Sequence, residues 1–221
     1  MNKPRWPWVV GLLAVVIVIV AVFGIATTLN HSTTTATASP TTTQTSTAAP
    51  DAAPTGCLGG TNRDNTMLLA AQKAAPHTTN GAVDFAAAVV RWTLRHPTAT
   101  VAEANQIAPL IIASDASSTF KDLGAAVQQN QNPSGGAVAD GTDFYVSTAP
   151  GVWYVDKSST NEVTVSIGAG YVIAGALNPQ LRTTTTYDLQ WEGGGWHVRS
   201  GSLAHTTEEL FKIGTPFNGG C

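Results

Sequence analysis

The chain has 221 residues, 11 of them basic and 14 acidic, for a formal net charge of −3 at pH 7. Residues 57–221 carry nine basic and thirteen acidic side chains. That balance lacks the concentrated positive charge on which nucleic-acid binding depends, so no DNA or RNA partner is expected.

Trp8 to Ala26 contains no charged or strongly polar side chain. As a helix rising 1.5 Å per residue it spans roughly 28 Å, close to the bilayer's apolar thickness of about 30 Å. Lys3 and Arg5 precede the run and the next basic residue is Arg63. This asymmetry predicts a cytoplasmic N-terminus and an extracellular remainder, the membrane being the first partner. Trp6 and Trp8 fall where aromatic rings prefer the interface. Gly11, Ala14 and Ala21 share one helical face, which permits close helix approach, although small residues are common in such segments. The rival is a cleaved signal peptide, with small-residue triplets ending at Ala26 and Ala38. A signal's apolar core runs about 7–15 residues, shorter than this one, so a retained anchor is expected.

Residues 27–56 hold 12 Thr, 6 Ala, 3 Ser and 3 Pro with Asp51 as the single charge. A segment so poor in large apolar side chains cannot offset its ordering entropy and reads as a disordered stalk. Its Thr/Ser/Pro composition is also that of O-glycosylated spacers. The two cysteines, Cys57 and Cys221, bracket the rest of the chain. In an oxidising compartment that placement predicts a bridge joining the ends of one domain. An intermolecular bridge is the alternative. Lipidation of Cys57 is disfavoured because Pro54 replaces an aliphatic residue and the apolar run lies far upstream.

Helical signals come first within the domain. Phe85, Val89 and Trp92 have helical spacing over 82–95, and Pro97 stops that helix. Thr100-Val-Ala-Glu103 is a capping-box pattern opening a second helix, which Pro109 should end or kink, with Leu110, Ile111 and Ile112 coming next as a buried run. A third helix is expected over 117–128, before Asn132-Pro-Ser-Gly-Gly136 breaks the chain. From Asp143 the pattern becomes strand-like: a short strand over 144–147, another over 152–156, and a turn over 158–161. Val163, Val165, Ile167, Ala169, Tyr171 and Ile173 then form one apolar row. Tyr187, Leu189 and Trp191 repeat it, and Glu192-Gly-Gly-Gly195 turns into Trp196 and Val198. Thr206-Thr-Glu-Glu209 caps a short last helix. Helices followed by a meander predict an α+β fold, three helices against one face of an antiparallel sheet. Gly168 and Gly170 weaken the longest strand unless it bends there, which would curl the sheet into a cone.

Three segments, Gly56-Cys-Leu-Gly-Gly-Thr-Asn-Arg63, Val165-Ser-Ile-Gly-Ala-Gly-Tyr-Val-Ile173 and Lys212-Ile-Gly-Thr-Pro-Phe-Asn-Gly-Gly-Cys221, resemble an actinobacterial family of unknown function associated with conjugative or integrative elements. The order of stub, anchor, stalk and α+β domain also resembles the membrane assembly subunits of Gram-positive, type IV secretion-like systems. It is similar, too, to single-pass proteins associated with mycobacterial lipid importers. Both groups have domains like the nuclear-transport-factor-2 superfamily. The resemblance implies a curved-sheet cone and an envelope setting, and names no active site.

The chemistry-bearing residues form no strong pattern. There is no Gly-x-Ser-x-Gly motif for a serine nucleophile. His205, Glu208 and Glu209, with His197 nearby, have the spacing of a weak metal site, but both glutamates fit the first turn of a capped helix better. Gly168-Ala-Gly170 lies inside a strand, where a phosphate loop has no helix terminus to use. Tyr145, Tyr154, Tyr171 and Asp188 are the residues with which a cone-shaped isomerase or hydratase would work, but core aromatics plus a surface carboxylate is the simpler reading. The expected function is a non-catalytic envelope scaffold, without cofactor or metal, docking other transfer-complex subunits or copies of itself. The alternatives are a module binding a small apolar or lipid-like ligand and, third, the isomerase.

Overall fold

The computed structural model describes residues 51–221. The expected anchor with Trp8, Gly11, Ala14, Ala21 and Ala26, the topology residues Lys3 and Arg5, and the stalk as far as residue 50 lie outside the described residues. Residues 51–56, which composition assigns to the stalk, are held on the domain.

Each helix begins at a side chain that answers a free backbone donor. Asp64 accepts the Met67 N–H at 2.8 Å and starts α1 (Asn65–Ala74). Met67, Leu68 and Ala71 make its buried stripe. Thr78 caps α2 (Thr79–Thr93), which is buried on nearly all sides, and a two-residue strand β1 (Arg95–His96) comes after it. In α3 (Val101–Ile111) the expected capping box is complete. Thr100 Oγ1 accepts the Glu103 N–H at 3.1 Å, and the Glu103 carboxylate accepts the Thr100 N–H at 2.7 Å. Pro109 does not end this helix, which runs two residues past it. So close to the C-terminus, proline removes one backbone bond without interrupting a further turn. Leu110 is exposed while Ile111 and Ile112 are buried. Successive helical residues rotate by about 100°, so three in a row cannot share a face. The expected third helix is two, α4 (Ser118–Lys121) and α5 (Leu123–Gln129), because Asp122 leaves helical geometry and its carboxylate caps α5 at the Ala125 N–H.

Five strands run antiparallel in the order β1, β2 (Phe144–Ser158), β3 (Glu162–Ile173), β4 (Ala176–Glu192) and β5 (Gly195–Ser202). The two short strands expected at 144–156 are one, since a register irregularity between Ser147 and Gly151 absorbs the residues around Pro150. Strand β4 starts far earlier than Tyr187, after a turn at Ala174 and Gly175 whose φ values are 50° and 81°. The Glu192–Gly195 connection is a two-residue hairpin with positive φ at both Gly193 and Gly194, as its glycines predict. The sheet curls into a half-barrel, with a register shift between Gly170 and Val172.

The inner face carries the predicted row. Val163 sits opposite Leu189 and Val165 opposite Tyr187, and all four are buried under α2 and its neighbours. The outer face is covered too, by α6 (Thr207–Ile213), contrary to the one-sided expectation. A Cβ at Gly168 would lie 2.7 Å from a Phe211 ring carbon and 2.8 Å from a Val152 methyl. Gly168 therefore admits α6 to the sheet. After α6, strand β6 (Thr215–Pro216) pairs with β2 and leads the chain to Cys221.

Candidate functional site

Cys57 and Cys221 are bonded, with their Cα atoms 5.4 Å apart. Around them the ends of the domain are stitched together. Thr148 Oγ1 donates to the Gly56 carbonyl at 2.9 Å and accepts the Cys221 N–H at 3.1 Å, while the Thr148 N–H donates to the Cys221 carbonyl. The Asn218 N–H donates to the Pro54 carbonyl. One carboxylate on α2, Asp84, accepts the N–H groups of Thr55 and Gly56 at 3.0 and 2.7 Å. Burial raises its pKa above the ordinary carboxylate range, and those two N–H bonds oppose the rise. Asp51 accepts from Thr78 Oγ1 at 2.7 Å, so residues 51–56 form a strap tied to the start of α2.

One turn-pair further along α2, Arg91 has no solvent exposure. Its guanidinium donates to the carbonyls of Leu58, Gly60 and Asn62, so the Gly-rich segment after Cys57 forms a cradle of backbone oxygens around a buried cation. Burial lowers the Arg91 pKa to about 10, and the nearby Arg63 charge adds to that effect. Gly59 is needed here: its φ is +83°, and a Cβ would lie 2.3 Å from the Met67 carbonyl oxygen. Sequence reasoning passes over both Asp84 and Arg91. The signal is there, as the two charges, seven residues apart, on an otherwise uncharged helix.

The other face of α2 lines a cavity of about 190 Å³. Val89 and Trp92 from α2, Ile111 from α3, Phe120 and Leu123 from the α4–α5 pair, and Val198 from the sheet form most of its wall. Its buried phenol, Tyr187, is bonded to Thr93, and burial pushes its pKa up to about 12. It therefore stays neutral at any physiological pH. A mostly carbon-lined space of this size suits an apolar group, since an engineered cavity of about 150 Å³ is known to hold benzene.

The remaining sequence candidates do not meet at this cavity. Tyr145 stacks under the Arg63 guanidinium at 3.8 Å. Tyr154 lies edge-on to His205. Tyr171 is buried in the core, where burial raises its pKa despite a bond to Thr183. Asp188 sits on the outer face, accepting from Thr164 and Ser200 hydroxyls at 2.7 and 2.5 Å. His205 is held by Asp156 at 2.6 Å, with Glu209 at 3.6 Å; Glu208 is exposed, and His197 turns instead to the Gly195 carbonyl. Among the described residues no group of three or more His, Cys, Asp or Glu has metal-holding geometry.

Comparison with protein-family models, with curated proteins and with solved structures finds no match.

Proposed function

We propose that this chain is a membrane-tethered, non-catalytic binding module of the cell envelope, whose cavity beside α2 receives a small apolar ligand. The observation that carries the reading is the cavity itself. It has a carbon wall and a neutral phenol, and it sits between the inner face of the sheet and the α4–α5 pair. Helices packed on a curled antiparallel sheet support a nuclear-transport-factor-2-like cone, and ligand sites favour such concave apolar spaces. The outward tether rests on the apolar run from Trp8 to Ala26 and on Lys3 and Arg5.

The test uses the full chain extracted under mild conditions. Native mass spectrometry is expected to find a small apolar molecule retained. Added hexanol at a hundred times its Kd is expected to stabilise the protein by about 2.7 kcal/mol. Filling the cavity with Ala126→Leu should abolish both effects while the protein remains folded. Absence of both a retained ligand and a shift with hexanol would overturn the proposal.

A second reading, an assembly subunit of a conjugative or related transfer machine, is favoured by the clasp. The end of the tether is pinned to α2 by Asp51 and Asp84 and to the C-terminus by the disulfide, which suits a subunit that must hold a position against partner subunits or copies of itself. In-cell crosslinking of the exported domain tests it, and recovery of monomer alone would count against it.

A further inference from the structure

A second space adjoins the cavity. After α5 the chain loops from Asn132 to Thr142 before entering β2. Asn132 organises this loop from within: its amide group donates to the Val138 carbonyl at 2.8 Å and to Asp140 at 2.7 Å, and its oxygen accepts from Ser134. Between this loop and residues 96–98 lies a groove of about 620 Å³. Thr98 and Asn130 belong to the walls of both spaces, so cavity and groove meet at those two residues.

The two spaces differ in chemistry. The cavity offers carbon, whereas the groove offers uncommitted hydrogen-bonding groups. The side chains of Thr98, Gln129, Asn130 and Thr142 have no hydrogen-bond partner among the described residues. His96 uses Nδ1 on Asp143 at 3.2 Å, which leaves Nε2. Hydroxyls and side-chain amides both donate and accept, which matches a ligand bearing hydroxyls. No lysine or arginine lines the groove, while Asp140 does. An anionic head would therefore meet like charge with no cation to offset it.

We propose that cavity and groove form one site for a neutral amphiphile, with an alkyl or aryl tail in the cavity and an uncharged polyhydroxy head in the groove. At about 30 Å³ per water-sized volume, the cavity takes roughly six heavy atoms. The tail it accepts is therefore short, or is the end of a longer chain. This assignment rests on the apolar-ligand reading above and adds the head group to it.

The experiment titrates the full chain in nanodiscs with four six-carbon probes: hexyl β-glucoside, hexanol, hexyl phosphate and hexyltrimethylammonium. Saturation-transfer NMR reports binding, and empty nanodiscs are subtracted. The glucoside is expected to bind at least tenfold more tightly than hexanol or hexyl phosphate. The double variant Gln129→Ala, Thr142→Ala, whose positions line the groove and not the cavity, should bring the glucoside down to the affinity of hexanol and leave hexanol unchanged. Equal binding of glucoside and hexanol to the unaltered chain would overturn the head-group assignment and leave the cavity reading standing. Tightest binding of the phosphate or the ammonium probe would overturn it in favour of a charged head. Binding of none would overturn both.

Discussion

Replacing both cysteines, as Cys57→Ser with Cys221→Ser, isolates the contribution of the disulfide. The bond spans a sequence separation of 164, and the chain-entropy model assigns about 5 kcal/mol to closing a loop of that length. The folded state gives little of this back. Thr148 bridges Gly56 and Cys221, Asp84 holds Thr55 and Gly56, and Asn218 holds Pro54 without help from the sulfurs. The loss should therefore fall on the unfolded chain, with near-UV circular dichroism unchanged at 20 °C. For a domain of this size about 2–4 °C accompanies each kcal/mol, so the midpoint should drop by about 10–20 °C. Differential scanning calorimetry of the full chain, oxidised, reduced and doubly substituted, makes the measurement. A drop under about 4 °C with an unaltered oxidised reference would refute the reasoning. It would mean that the unfolded chain is already compact around this loop.

Three further expectations concern charged groups on α2 and just before α6. Asp84→Ala should destabilise the domain by about 1–3 kcal/mol in urea unfolding, since the buried Gly56 N–H loses its acceptor; Asp84→Asn keeps an oxygen there and should cost less than about 1 kcal/mol. Arg91→Met should cost on the order of 3 kcal/mol by leaving three carbonyls without a donor, and Arg91→Lys should recover only part of that, because one ammonium cannot reach all three in the planar geometry of a guanidinium. His205 is the pH-sensitive group: chiefly through its hydrogen bond to Asp156, its pKa is raised above the ordinary value. The stability it contributes should be fully present below about pH 6.5 and lost as pH rises through the raised value. Thermal melts between pH 5.5 and 8.5 should show this slope flattened in His205→Gln, and an unchanged slope would argue against the pairing.

The parts of the fold legible in sequence are those set by local rules. The Thr100–Glu103 capping box, the alternation from Val163 to Tyr171 and the glycine pair at 193–194 each use a short-range signal that tertiary contacts do not override. Helix α1 escapes a sequence reading although Asp64 and the Met67, Leu68 and Ala71 spacing mark it, because the glycines just before it signal turns. Burial on both faces hides α6's role: Ser166 and Gly168 read as the solvent side of a half-buried strand, yet Gly168 lies beneath Leu210 and Phe211 and Ser166 is buried between Asp156 and Thr186. The cavity is illegible for a different reason. Its walls come from residues as distant in sequence as Val89 and Val198, and the carbon side chains that line it are of the same types that fill a core.

Helix α2 joins the two halves of the functional reading. Asp84 and Arg91 are seven residues apart and so lie on one stripe, while Val89 and Thr93 fall on the far side of the helix. The first stripe binds the strap and the cradle just after Cys57; the second lines the cavity and supports Tyr187. A cation and a carboxylate are costly on a helix buried this completely. What offsets that cost is backbone: three carbonyls for Arg91 and two N–H groups for Asp84. The same arrangement lets a single rigid element hold residues 51–62 and a wall of the cavity at once. Loosening the strap at Asp84 should therefore raise amide exchange on both stripes of α2 together. Exchange confined to residues 51–62 would show that the cavity wall is held independently of the clasp.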